Sequence, residues 1–334
     1  MRIIPTTLLA ALLAGAAAHA QTPKPAQPAK PAQPAKPAQP AKAARPAVPA
    51  VPAEKPANDD ESLAMAALEG LMMQPPERSL PILKKVLAGS QPTVVKRRAI
   101  FVLSQVNSPE AHDLLLQTAR ANGDLRGDAI RSIGISGDPK ALDALQDIYK
   151  TGDEDAKKQI LQAWMIAGRK EAVFNVAVNA RSEDEASEAI RMLGVMGATD
   201  ELRKLGESAK SANGKSPKGL LDALAISGDL AGLRKIAEGA GDKDQRVDAT
   251  RRIGIIHSDA ARTALREIYA GSADHDIRQA ALQGLLIAQD DQGVLALYRA
   301  AKTPDEKLQL LRTLSMMDSD AAIEAIDATL EKKP

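Results

Sequence analysis

The sequence predicts an all-α solenoid, in which short helix pairs stack side by side along one axis. Three observations predict this fold: a text that recurs every 60 residues, a unit of about 30 residues inside it, and a nearly aromatic-free core alphabet. Of the 334 residues, 44% are hydrophobic but only 2% are aromatic. The core must therefore be built from Leu, Ile, Val, Ala and Met, an alphabet that favours helices.

The recurring text is clearest in two segments, AIRSIGISGDPKALDALQDIY at 129–149 and ATRRIGIIHSDAARTALREIY at 249–269. A third copy begins at Ala189, midway between them. The positions that recur at an interval of 60 are Ala129, Ala189 and Ala249; Arg131, Arg191 and Arg251; Ile133, Leu193 and Ile253; and Gly134, Gly194 and Gly254. A second version of the unit lies between these copies, at 160–168, 220–228 and 281–289. A block of two units has therefore been duplicated along the chain.

Each unit is predicted to form two helices joined by a corner. Within 129–149, apolar residues recur at helical spacing both before and after the sequence Gly137-Asp138-Pro139. Gly137 can take the left-handed conformation that ends a helix, Asp138 can accept hydrogen bonds from the free amides of the next, and Pro139 suits its first turn. Related corners are predicted at Ser108-Pro109, Thr199-Asp200, Gly228-Asp229 and Ser258-Asp259. His257 holds the corner position of Gly137 and is interpreted as a structural substitution.

Neighbouring units must share a core, because a lone helix pair cannot bury both of its apolar faces. Nine units are predicted, beginning near Glu61, Pro92, Leu125, Ala156, Ser187, Ser216, Arg246, Ile277 and Leu308. Gly134, Gly194 and Gly254 lie inside first helices, where glycine costs about 1 kcal/mol relative to alanine. We expect each of them to mark a close helix crossing, alternating with looser crossings at the other subtype.

The N-terminus has the features of a secretory signal peptide over residues 1–20. Arg2 supplies the positive charge, an apolar stretch covers 3–18, and Ala18-His19-Ala20 forms a small-residue cleavage site. Cleavage after Ala20 predicts a periplasmic or secreted protein. The apolar stretch is shorter than the roughly 20 residues of a membrane helix, and no other segment is suitable. The mature chain is therefore expected to lack a transmembrane segment.

Residues 21–57 are predicted to be a disordered linker rich in Pro, Ala and Lys. The text PAQPAK occurs three times and places Lys24, Lys30, Lys36 and Lys42 six residues apart. Frequent prolines favour an extended polyproline II spacer, which could reach on the order of 100 Å. Six basic residues against Glu54 give the linker a net charge of +5. Electrostatic contact with anionic envelope polymer is one expectation, and a plain spacer is the other.

The remaining domain, 58–334, has no obvious chemical machinery. It holds 37 of the 44 Lys and Arg residues and 42 of the 43 Asp and Glu residues, so a nucleic-acid footprint is absent. The chain contains no Cys, which excludes disulfides and thiolate chemistry. The GKS text at 214–216 lacks the context of a phosphate loop, and the DHD text at 274–276 places adjacent ligands pointing apart. No catalytic residue, metal site or cofactor is predicted.

The pattern AIRSIG followed by GDPKALDAL resembles a HEAT repeat, in the short variety of about 30 residues also seen in bilin lyase proteins. The resemblance covers nearly all of 61–330. It implies that the second helix of each pair lines a concave face, where partners commonly bind. The order of signal peptide, proline-rich linker and repeat array also resembles uncharacterised secreted HEAT proteins of Gram-negative bacteria.

One candidate binding surface lies on the second helices, where LRKL, LRKI and LREI recur at 202–205, 233–236 and 265–268. Stacking would align their cations into a basic strip that grips a carboxylate-rich peptide or an anionic envelope component. The strip consists of Arg203, Lys204, Arg234, Lys235 and Arg266. The alternative is a solvated surface, because Glu207 and Glu238 follow Arg203 and Arg234 by one turn.

The sequence therefore leads to a scaffold hypothesis: a non-enzymatic protein of the bacterial cell envelope that binds another envelope protein or peptide along its concave face. A bilin-lyase-like enzyme is one alternative, against which stand the signal peptide and the lack of a thiol and of convergent aromatic residues. An envelope-anchoring protein that acts through its cationic linker is the other. Tyr149 and Tyr269, which hold equivalent positions, are interpreted as packing residues.

Overall fold

A computed structural model describes residues 56–121, 123–212, 217–240 and 242–331, without the side chains of 209–212 and 240. Within these ranges the chain forms eighteen α-helices and no β-strand. No helix of the described part is both long enough and apolar enough to cross a membrane. The predicted signal peptide, 1–20, and all but the last two residues of the predicted linker, 21–57, lie outside the described residues.

The helices of the described chain follow one another as nine pairs. The pairs are α1 Asp59–Leu71 and α2 Pro76–Ala88; α3 Thr93–Gln105 and α4 Pro109–Arg120; α5 Arg126–Ser136 and α6 Pro139–Thr151; α7 Glu154–Ile166 and α8 Lys170–Asn179; α9 Glu183–Val195 and α10 Thr199–Ala212; α11 Leu220–Ile226 and α12 Leu230–Lys235; α13 Lys243–Ile253 and α14 Asp259–Gly271; α15 His275–Ile287 and α16 Asp291–Ala300; α17 Pro304–Ser315 and α18 Asp320–Leu330. A π-helical turn, Ile236–Ala240, extends α12, and a 3-10 turn, Gly254–Ile256, follows α13. Every predicted unit start lies within four residues of the start of a first helix, so the all-α solenoid of nine pairs is confirmed.

The predicted corner is present between α5 and α6. Gly137 ends α5 in the left-handed conformation, with φ 71° and ψ 12°. The carboxylate of Asp138 accepts a hydrogen bond of 2.8 Å from the backbone N–H of Ala141, and Pro139 begins α6. His257 takes the same left-handed conformation, with φ 52°, as its predicted structural role requires. A corner that the sequence places two residues later, at Thr199, has its left-handed residue at Gly197.

Replacing Asp138 with alanine is expected to lower the free energy of unfolding by about 1 kcal/mol, because α6 loses its N-cap. The imidazole Nδ1 of His112, in the preceding pair, lies 3.4 Å from the same carboxylate and would lose this contact too. Urea unfolding followed by far-UV circular dichroism measures the loss. Asp147→Ala is the matched control, since that carboxylate is exposed on α6 and pairs only with Lys150. Equal losses in the two variants would contradict the capping role.

The glycines inside first helices lie at close helix crossings, as predicted. The residues that meet there are Gly134 and Ala163, Gly194 and Ala223, and Gly254 and Gly284. A Cβ atom placed on Gly134 or Gly194 would lie 2.8 Å from the Cα of the residue opposite. A Cβ atom on Gly254 would lie closer still to the carbonyl oxygen of Gly284. These crossings therefore depend on backbone meeting backbone without a side chain between them.

The crossings also alternate along the array, which explains the two unit subtypes physically. The first helices α5 and α7, α9 and α11, and α13 and α15 pack over extensive surfaces. In the steps between them, from α7 to α9, α11 to α13 and α15 to α17, the first helices make much smaller contacts. There the second helix of the earlier pair supplies most of the packing, as when α8 packs on α9. Tight and looser crossings thus follow each other, and one apolar core runs through all nine pairs.

Candidate functional site

The most prominent concave site in the described chain is a cleft between α6 and α8. These second helices of pairs three and four make little direct contact with each other. The gap has a volume of about 710 Å³ and is also bordered by α7 and by the start of α9. A volume of this order suits a small ligand or a few residues of a peptide.

Two aromatic rings form the floor of the cleft. The Tyr149 and Trp164 rings lie 5.6 Å apart, centroid to centroid, and both side chains are buried. The Trp164 Nε1–H donates a hydrogen bond of 3.1 Å to the carbonyl oxygen of Leu142. Leu142 and Val176 complete the floor. Because the indole N–H already has a partner, the floor offers an entering group apolar contact rather than a free donor.

A hydrogen-bond network fixes one end of the cleft. The Tyr149 hydroxyl donates to Glu185 Oε1 at 2.8 Å, and the Lys157 ammonium lies 3.4 Å from the same oxygen. Glu185 Oε2 accepts a bond of 2.7 Å from the backbone N–H of Arg181. Ser182 caps α9 by accepting from the Glu185 N–H, which completes a capping box. The box thus ties the start of α9 to the aromatic floor.

The same network shifts the acidities of its members. Burial raises the pKa of the Tyr149 hydroxyl far above its ordinary value, and the Glu185 carboxylate beside it adds to the effect. Burial also tends to raise the pKa of Glu185, but hydrogen bonds from Arg181 and Tyr149 and the charge of Lys157 outweigh it and lower that pKa. At neutral pH, Tyr149 is therefore a neutral donor and Glu185 an ionised acceptor.

A steeper alkaline loss of stability is expected from Tyr149 than from phenylalanine at this position. Because the folded-state pKa is raised above its usual value of 10.0, this hydroxyl contributes stability that is complete below about pH 10 and is lost as the pH rises further. The free energy of unfolding should consequently fall less steeply above that pH in Tyr149→Phe than in the original chain. Urea unfolding at a series of pH values measures the two slopes. Parallel slopes would contradict the buried, neutral state of Tyr149.

Polar groups line the rim of the cleft. Arg169 forms an ion pair with Asp143 between α8 and α6, and Lys170 Nζ donates to the carbonyl oxygen of Gly197 at 3.2 Å. The amide side chains of Gln146 and Asn175 also face the cleft. An amide side chain carries both a donor and an acceptor, which is the pairing that a peptide group requires. The cleft therefore combines an apolar floor with a rim that can hydrogen-bond a backbone.

The predicted basic strip lies on α10, α12 and α14, where two of its arginines tie successive pairs together. Arg203 forms a bidentate pair with Asp229, with Nε 2.7 Å from Oδ2. The Asp229 carboxylate is buried and also caps α12, through a 2.9 Å bond from the Gly232 N–H. Arg266 reaches the next capping carboxylate in the same way, with Nε 3.5 Å from Asp290 Oδ2. These arginines join a second helix to the corner of the following pair.

The other strip residues are interleaved with carboxylates. Arg234 pairs with Glu238 at 2.5 Å, which confirms the predicted one-turn spacing, and with Glu267 at 2.8 Å. Lys235 Nζ lies 3.7 Å from Glu207, and the Lys204 side chain is exposed. The partner of Arg203 in the following pair was not predicted, because the sequence spacing indicated Glu207. Binding of a partner by Arg203, Lys204, Arg234, Lys235 and Arg266 stays a prediction.

Other residues that the sequence singled out have structural contacts. Tyr269 is buried, and Arg278 donates to its hydroxyl at 3.0 Å and to Glu306 at 2.7 Å. This arrangement repeats that of Tyr149 and confirms the packing role of both tyrosines. In the text at 274–276, Asp274 caps α15, and both carboxylates pair with Lys243. No group of three or more His, Asp or Glu side chains in the described part of the chain is placed to hold a metal ion.

Residues 80–164 match the family of HEAT repeats. No curated protein matches the chain. Among solved structures, an engineered protein is similar at 16% identity and a TM-score of 0.30, covering 80% of this chain and 88% of that one. The complex of CpcE and CpcF of phycocyanin lyase from Nostoc sp. PCC7120 is similar at 20% identity and a TM-score of 0.32, covering 81% and 99%. The described chain is thus an all-α solenoid of helix pairs, with HEAT repeats matched over residues 80–164.

Proposed function

We propose that this chain is a non-enzymatic scaffold of the bacterial cell envelope, which binds another envelope protein or peptide along the face formed by its second helices. The observation that carries the proposal is the cleft between α6 and α8. Its apolar floor and amide-bearing rim suit an extended peptide segment, which needs apolar contact for its side chains and hydrogen bonds for its backbone. HEAT-type arrays offer such surfaces over several repeats, so many weak contacts can add to the one in the cleft.

The envelope location rests on the sequence of residues 1–57. A cleavable signal peptide would export the chain, and the proline-rich linker would hold the array away from a surface or a partner. Because the ion pairs around Arg203 and Arg234 join neighbouring helices, the strip can contribute to binding mainly through its more exposed cations, Lys204 and Lys235. A carboxylate-rich segment of the partner would then run from the cleft toward α10 and α12.

Affinity capture from envelope extracts, with the chain from Gln21 onward as bait, tests the proposal. Asn175→Trp fills the cleft from α8 and should reduce capture of the bound partner at least tenfold. The matched control is Val178→Trp, an exposed position of the same helix outside the cleft, which should capture as well as the original chain. Equal capture by both variants would exclude the cleft as the binding site. Lys204→Glu combined with Lys235→Glu tests the basic strip without leaving the buried Asp229 unpaired.

Deletion of 21–57 separates the scaffold from the anchoring alternative. A scaffold without its linker still captures its partner in solution, because the binding face belongs to the array. An anchor that acts through its cationic linker loses its sedimentation with cell walls instead. A chromophore that copurifies with the chain would favour the lyase alternative.

A further inference from the structure

The C-terminal end of the array carries a stacking surface with no pair packed on it. On α18, Ile326 is 36% exposed and Leu330 is 79% exposed. The equivalent residues of α14, 61 positions earlier, are Leu265 and Tyr269, which are 0% and 2% exposed. There the next first helix, α15, covers them: Gly284 approaches Leu265, and Arg278 donates to Tyr269. Pair seven therefore shows what the end of pair nine is shaped to receive, namely the first helix of a following pair.

The N-terminal helix α1 has the sequence of such a helix. Residues 63–73 read LAMAALEGLMM, and residues 277–287 of α15 read IRQAALQGLLI. The residues of α15 that are buried at matching positions are Ile277, Ala280, Ala281 and Gly284, whereas their counterparts Leu63, Ala66, Ala67 and Gly70 are exposed in α1. A Cβ atom on Gly70 would meet nothing within 4 Å. The α1 helix thus carries the small-residue face of a stacking helix without a preceding pair to pack on.

The residues at the two ends also fit the geometry of a tight crossing. Each tight crossing in the array contains at most one Cβ atom between its two backbones, as where Gly134 meets Ala163. Ser315 of α17 holds the position of Gly254, 61 residues earlier, and is exposed. Gly70 holds the position of Gly284. A crossing of Ser315 with Gly70 would likewise contain a single Cβ atom.

We propose that this chain self-associates head to tail, with α1 of one copy stacking on α17 and α18 of another through the tight crossing used inside the array. The contact continues an interface that the fold already repeats, and it buries the exposed apolar residues of both ends. It is heterologous, since the two surfaces differ, so each copy keeps one free end for the next. The proposal does not involve the cleft or the second-helix face, and it stands or falls independently of the function proposed above.

Sedimentation velocity on the chain from Gln21 onward, at about 1 to 100 μM, tests the proposal. The original chain should show a mass that rises with concentration beyond that of one copy. Gly70→Leu blocks the head, and Ile326→Lys combined with Leu330→Lys blocks the tail, so each variant alone should remain a monomer. Mixing the two variants leaves one intact head and one intact tail, and should yield a one-to-one dimer that grows no further.

Two controls keep the test specific. Val178→Lys places a charge on an exposed apolar site of α8 away from both ends, and should associate like the original chain. Gly70→Leu should melt at or above the temperature of the original chain, because its site is open in the single copy. A monomer at every concentration, association by Gly70→Leu alone, or a mixture that stays monomeric would each overturn the proposal.

Discussion

Replacing Gly254 with alanine is expected to lower the free energy of unfolding by about 3 kcal/mol, the upper end of the usual cost of overpacking. The new methyl group would collide with the backbone carbonyl of Gly284, so α13 and α15 would have to move apart. Neither backbone can turn aside as a flexible side chain could. The shift would also loosen Leu265, which packs against Gly284. Thermal and urea unfolding followed by far-UV circular dichroism measure the change.

The other crossing glycines give a graded series. Gly134→Ala and Gly194→Ala should be less costly than Gly254→Ala, because a methyl group there would lie 2.8 Å from the opposite Cα. Gly271→Ala is the control: that site is open, and its effect should stay within about 1 kcal/mol. A cost for Gly254→Ala no larger than that of the control would mean that the crossing yields without strain.

Replacing Trp164 with alanine is expected to cost about 3–5 kcal/mol, as large-to-small changes of buried aromatic residues do. The indole ring is 2% exposed, packs on Tyr149 and donates its N–H to the carbonyl of Leu142. Its loss would remove the floor of the cleft and should abolish partner capture. Since this is the chain's only tryptophan, circular dichroism rather than intrinsic fluorescence must follow unfolding.

Trp164→Phe is the matched variant for this position. A phenyl ring keeps most of the apolar contact with Tyr149 but has no N–H for Leu142, so its cost should be clearly smaller. If the alanine and phenylalanine variants lost similar stability, the hydrogen bond rather than the packing would be the main contribution. If neither lost stability, the buried position of Trp164 would be wrong.

The elements that the sequence predicted are those that depend on local chemistry. The corner at Gly137 follows from a left-handed glycine, a capping aspartate and a proline in the first turn, all adjacent in the chain. The crossing role of Gly134 and Gly254 followed from a glycine at an interval of 60 in a place where helices disfavour it. Nine pairs followed from the unit length. None of these inferences needed the position of a distant residue.

The cleft could not be predicted in the same way, because it arises from how two pairs sit against each other. Tyr149 and Trp164 belong to different helices, and their contact depends on the gap between α6 and α8. The partner of Arg203 lies 26 residues ahead in the next corner, whereas helix spacing suggested Glu207. One signal was available: Trp164 places the only tryptophan where the equivalent residues 224 and 285 are leucines.

Distances between spin labels test the stacked array most directly. The chain has no cysteine, so labels can be attached at Arg131→Cys paired with either Arg191→Cys or Arg251→Cys, positions on α5, α9 and α13. With 8–10 Å between stacked helices, two pairs separate residues 131 and 191 by about 20 Å, and four pairs should separate 131 and 251 by nearly twice that distance. A distance from 131 to 251 that is no longer than the distance from 131 to 191 would contradict the solenoid.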